Sequence, residues 1–225
     1  MRKLAWSVLG VALMLAGCSS IVDGNAEFAL PVTDPKALAA MLLSPEEISA
    51  VMGGAMSTSG TKTDFVRTRA LDDTRCQNPW APADDWSYDG TPTTGVQVRT
   101  LQSADTAGPE LRLVSEALIT FSDIYAADAF IADSLATWKL CQNRAITITP
   151  PTGEPPSTWT FGPAGVDQDH GTMTISRTSA DGAVCQRVMA VRANVIVDVA
   201  ACGYGVKDQG AQIADKLVAK IRVTK

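Results

Sequence analysis

Cys185 and Cys202 stand at equal distances from Ala193 and Asn194, in a segment that carries two strand-like runs around that dipeptide. A symmetric hairpin turning there sets the two cysteines directly opposite each other. With a two-residue turn they form a non-hydrogen-bonded pair, the closer kind, and a disulfide needs Cα atoms roughly 4.4 to 6.8 Å apart. The same register gathers Val188, Ala190, Val195, Val197, Val199 and Ala201 on one face, expected to be the core side. Arg187, Met189, Asp198 and both cysteines share the opposite face. Arg187 and Asp198 are diagonal neighbours within reach of an ion pair. Such a pair is either a solvated salt bridge of little energetic weight or the polar wall of a ligand cleft.

A disulfide requires an oxidising compartment, and the N-terminus points to one. Arg2 and Lys3 precede an apolar run from Leu4 to Ala16, which closes on Leu15, Ala16, Gly17 and Cys18. The run is short for a bilayer span and small residues occupy the cleavage position, so residues 1–17 are expected to be a lipoprotein signal peptide. An ordinary cleaved signal or an N-terminal membrane anchor is the plainer alternative. Cys18 then becomes the first residue and carries lipid, and at roughly 0.8 kcal/mol per buried methylene two or more acyl chains hold a protein durably. The expected location is the extracytoplasmic face of the cell membrane. Residues 18–35 show no period and contain Gly, Asp and Pro, which suits a flexible tether to a single domain at 36–225.

With Cys18 assigned to lipid, Cys76, Cys141, Cys185 and Cys202 remain, an even number consistent with two disulfides. The hairpin pairs the last two, so Cys76 joins Cys141 by elimination. No Cys-x-x-Cys spacing occurs and His170 is the sole histidine, so neither a metal nor a cofactor is expected. Loss of Arg2 and Lys3 takes the formal charge from −5 to −7, and no basic cluster offsets it, which argues against nucleic acid.

Along the chain, Ser44, Pro45 and Glu47 form a capping box for a short helix ended by Gly53 and Gly54. Residues 55–94 are polar and broken by Pro and Gly, and are expected to be mostly loop, pinned by Cys76. Trp80 and Trp86 within it either cover the core edge, the plainer reading, or line a cleft. Residues 95–101 and 111–121 alternate as strands, and Ile124, Ala127, Ile131, Leu135 and Trp138 recur at helical spacing up to Cys141. Short strands at 145–149, 158–161 and 171–178, the hairpin, and a helix over about 207–223 complete the reading.

In four stretches the chain resembles the PknH-like extracellular sensor-domain family of mycobacterial kinases and lipoproteins. They are MLLSPEEISAVMG at 41–53, AFIADSLATWKLC at 129–141, TWTFGP at 158–163, and the segment from Val184 to Ile221. The resemblance implies an α+β domain with a twisted, mainly antiparallel sheet, helices packed on one side, two disulfides and a sizeable cleft. It gives the same cysteine pairing.

The expected function is a lipid-anchored sensing or binding module for a small molecule, glycan, lipid or envelope protein, with Trp138, Arg187, Asp198 and Tyr204 as candidate cleft residues. A lipid or glycolipid carrier is the second reading and needs a large apolar cavity. A hydrolase is the third. It would depend on His170 in the run from Asp167 to Gly171, where a cation at Asp167 and Asp169 is also conceivable, but no Gly-x-Ser-x-Gly elbow accompanies it. No catalytic residue is assigned.

Overall fold

The computed structural model describes residues 32–68, 71–104, 111–149, 155–167 and 171–223. Cys18, the expected signal peptide and most of the expected tether lie outside them. The centre of the fold is one eight-stranded sheet in which every neighbouring pair is antiparallel. Its strands are β1 (Met56–Lys62), β2 (Thr93–Ser103), β3 (Leu113–Phe121), β4 (Ala145–Ile148), β5 (Ser157–Asp167), β6 (Thr172–Ser179), β7 (Val184–Arg192) and β8 (Val195–Gly203). They lie in the order β1-β2-β3-β8-β7-β6-β5-β4. The helices are α1 (Leu38–Met41), α2 (Pro45–Met52), α3 (Asp85–Tyr88), α4 (Ile124–Cys141) and α5 (Gln209–Lys220).

The hairpin adopts the expected register, with Cys185 opposite Cys202 and their Cα atoms 4.0 Å apart. The second disulfide joins Cys76 to Cys141 across 65 residues. The capping box at α2 is complete: the Glu47 amide donates to Ser44 Oγ and the Ser44 amide donates to Glu47 Oε2. Gly53 ends the helix at φ 71°, a left-handed value that glycine accepts without penalty. The α+β class, the antiparallel sheet and both bridges therefore match the sequence reading.

The helices do not lie on one side. Val188, Ala190, Val197, Val199 and Ala201 pack with Leu38, Leu43, Ile48, Ile213 and Leu217, so α1, α2 and α5 cover one face. Met189 and Ile196 pack with Ala127, Phe130 and Trp138, so α4 and the segment before β2 cover the other. The run from Val195 to Ala201 is buried throughout, as a strand covered on both faces must be. Two boundaries also differ from the sequence expectation. Residues 55–94 include the edge strand β1 and the short helix α3 as well as loop. Thr33, which the sequence places in the tether, is buried; its amide donates to Asn194 Oδ1 at 2.7 Å and its hydroxyl to the Arg222 carbonyl at 3.0 Å. Folded structure therefore begins before residue 36.

Candidate functional site

The face opposite α5 carries a buried polar junction. Arg187 and Asp198, both fully buried, form a two-pronged pair in which Nε donates to Oδ1 at 2.9 Å and Nη2 donates to Oδ2 at 2.7 Å. Asp198 Oδ2 also accepts from the Ala83 amide and the Tyr88 hydroxyl, each at 2.9 Å. Arg187 Nη1 donates to the Asn78 carbonyl, and Trp138 Nε1 donates to Asn78 Oδ1 at 2.6 Å. The guanidinium lies 5.3 Å from the centroid of the Trp138 ring. Burial and the adjoining Asp198 charge hold the Tyr88 phenol well above its ordinary pKa, so it remains a hydrogen-bond donor.

Trp138, Arg187 and Asp198 are thus brought together, as the sequence suggests, but away from solvent. The hairpin face that holds them is a second core, so the pair is neither a solvated bridge nor an open wall. Its partners Asn78, Ala83 and Tyr88 all belong to the segment between β1 and β2. Together with the Cys76 to Cys141 bridge, it fastens that segment onto the sheet and α4. Tyr204 is not part of this group; it is exposed, and its hydroxyl donates to Asp181 Oδ2 at 2.6 Å.

The fastened segment frames an open concavity of about 740 Å³, lined by residues that include Phe65, Arg67, Asp85, Trp86, Tyr88 and Thr91. The Phe65 and Tyr88 rings stack at 4.8 Å, Tyr88 stacks on Phe130 at 4.5 Å, and Phe130 meets Phe121 at 5.2 Å, an aromatic ladder from the concavity into the core. Trp86 is 58% exposed beside it, too open to be core cover, so the cleft reading fits this residue. At the rim Arg67 Nε donates to Asp85 Oδ2 at 2.8 Å. One wall is therefore aromatic and the other carries paired charges.

Trp80 takes the plainer role. It packs edge-on against Trp159 and Phe161 at 6.2 and 6.3 Å. Tyr88, Phe65 and Arg67 escape notice in the sequence because their meeting depends on tertiary folding of an irregular segment. Arg177 leaves a legible signal: it continues the inward face of β6 after Met173 and Ile175, a charge where alternation predicts an apolar side chain. His170 and Asp169 lie outside the described residues. Among the described residues no cluster of His, Cys, Asp or Glu could hold a metal ion, and no helix is long and apolar enough to cross a membrane.

With this geometry established, comparison with known proteins places the chain. A model of the PknH-like extracellular domain matches residues 33–220. The chain belongs to that family. It is 35% identical over 197 residues to serine/threonine-protein kinase PknH of Mycobacterium bovis, a match that covers 85% of this chain and 32% of the kinase. The same identity and coverage of this chain relate it to PknH of Mycobacterium tuberculosis H37Rv, of which 30% is covered. The chain thus spans about a third of the length of these curated relatives. A crystal structure of the extracellular domain of PknH from Mycobacterium tuberculosis superposes with a TM-score of 0.76 at 32% identity, covering 85% of this chain and 97% of that one.

Proposed function

We infer that this protein is a lipid-anchored, extracytoplasmic binding module of the PknH-like family, which holds a small ligand or the end of an envelope glycan in the concavity beside Trp86. One observation carries the reading. The segment that frames the concavity is irregular, yet a disulfide and a fully buried Arg187 to Asp198 pair fix it in place. Such fastening of a loop is what a preorganised binding surface requires, because a mobile loop would lose conformational entropy on each binding event. An exposed indole, a stacked Phe65 and Tyr88 floor and a charged rim suit a ligand with a flat apolar face and hydroxyl groups at its edge.

A lipid carrier is less well supported. A strongly apolar cavity between α4 and the facing ends of β5 and β6 has a volume of only about 130 Å³, too small for acyl chains.

Two experiments test the proposal. Cys18→Ser is expected to move the protein from the membrane fraction to the soluble one, and continued membrane retention would contradict the anchor. Saturation-transfer NMR of the Cys18→Ser protein against neutral sugars, amino sugars and soluble lipid headgroups should identify binders that lose affinity at least tenfold, about 1.4 kcal/mol, in Trp86→Ala. Binders indifferent to that substitution would place the ligand elsewhere.

A further inference from the structure

Among the described residues Arg177 is a buried guanidinium with no carboxylate partner. Only 8% of the residue is exposed. Its Nη1 donates to the Trp80 carbonyl at 2.6 Å, while Nε is buried and bonds to nothing. The guanidinium carbon lies 4.0 Å from the centroid of the Trp80 ring and 5.4 Å from that of Trp159. Both indoles are half-buried, so each keeps a surface in contact with solvent.

The acidic groups nearby are already committed. Arg187, on the neighbouring strand β7, is neutralised by Asp198, whose carboxylate accepts from Arg187, Ala83 and Tyr88. Asp181, beyond the end of β6, accepts from Ser179 and Tyr204. Burial and the positive charge of Arg187 push the Arg177 pKa down to about 9, which still leaves it cationic at neutral pH. Buried charges are ordinarily paired, because removing an ion from water is costly unless an opposite charge or several hydrogen bonds replace the hydration. Two indole faces and one carbonyl replace only part of it. Position 177 shares its face with Met173 and Ile175, so an apolar residue would satisfy packing without that cost.

We propose that Arg177, framed by Trp80 and Trp159, is a binding site for the oxyanion of an acidic ligand, a carboxylate or a phosphate. A planar guanidinium with unused donors matches either group in a forked geometry, and the flanking indoles accept the apolar or ring portion that carries it. The site shares no residue with the lining of the concavity beside Trp86. It therefore stands or falls independently of the function proposed above.

The test is an indole ¹⁵N NMR titration of the Cys18→Ser protein with sodium phosphate and with sodium acetate, each against sodium chloride at equal ionic strength. Saturable shifts of the Trp80 and Trp159 indoles, with Trp86 and Trp138 unmoved, are the expected result. The anion that saturates at the lower concentration names the ligand chemistry. Arg177→Gln should abolish the response and Arg177→Lys, which keeps the charge but not the fork, should weaken it severalfold, with the Trp138 resonance reporting an intact fold in each. Absence of a saturable response in the unsubstituted site, an equal response to chloride, or survival of the response in Arg177→Gln would each overturn the proposal. Should Arg177→Gln fail to fold, the titration with Arg177 in place and that of Arg177→Lys still decide it.

Discussion

Asp198→Asn is nearly isosteric, yet it should be among the most damaging single changes in this domain. All four groups that face the carboxylate are donors: Arg187 Nε at Oδ1, and Arg187 Nη2, the Ala83 amide and the Tyr88 hydroxyl at Oδ2. An asparagine must turn its NH₂ toward one set or the other. Facing Arg187 Nε it opposes one donor, and facing Nη2, Ala83 and Tyr88 it opposes three. In both orientations the Arg187 charge, fully buried, loses its counter-ion. Breaking a buried pair in this way costs about 3 to 5 kcal/mol. For a domain of this size that is roughly 10 °C in Tm. Urea unfolding with the disulfides intact measures the free energy, and amide hydrogen exchange should show the loss concentrated at residues 63–92. The double change Arg187→Met with Asp198→Leu removes both charges and should recover the part of the loss that comes from the unpaired Arg187, but not the part from the Ala83 amide, the Tyr88 hydroxyl and the Asn78 carbonyl, which lose their partners. A cost below about 1 kcal/mol for Asp198→Asn, or exchange unchanged in that segment, would refute the account of the junction as the fastening of the loop.

Other consequences are equally direct. Replacing Cys76 and Cys141 by Ser opens a loop of 65 residues and should cost about 4 kcal/mol in the chain-entropy model, against about 3 kcal/mol for Cys185 and Cys202 with their separation of 17; the reverse order in urea midpoints would contradict it. Ser44→Ala removes a complete capping box and should cost about 1 kcal/mol by the same measurement. Burial raises the Glu116 carboxyl above its ordinary 4.5, although Arg99 donates to it at 2.8 Å. The folded state then binds that proton more tightly than the unfolded state. Its contribution is full at low pH and is lost as pH rises from 4.5 through the raised native value. Relative to Glu116→Gln, the protein should therefore lose stability with rising pH in that window, and a difference that grows with pH would refute the assignment.

Much of this architecture is legible in the residues because the signals are local. The α4 period ends on Cys141, the capping box marks α2, and the cysteine positions set the β7 to β8 register. The two-sided burial of the sheet had a signal as well: Val195, Ile196 and Val197 followed by Val199, Ala200 and Ala201 are apolar on both faces. Strict alternation was too narrow a template for that run. Strand β1 carries Ser, Thr and Gly with little apolar period, so its pairing with β2 depends on tertiary context that no local rule supplies. Nor does sequence place the N-terminal turn, which packs so closely that a Cβ on Gly95 would lie 2.5 Å from Pro35 Cβ. Of the expected cleft residues, the hairpin register brings Arg187 and Asp198 together, and Trp138 reaches them from α4. Their burial followed from a covering segment whose path the sequence does not specify.

Chemical-shift mapping of the Cys18→Ser protein with the tightest binder from the sugar and headgroup series tests the central claim most directly. Perturbations clustered on Phe65, Trp86, Tyr88 and Thr91, with the β7 to β8 hairpin unmoved, are the predicted result. Perturbations that bypass this cluster would contradict a ligand site framed by the fastened segment.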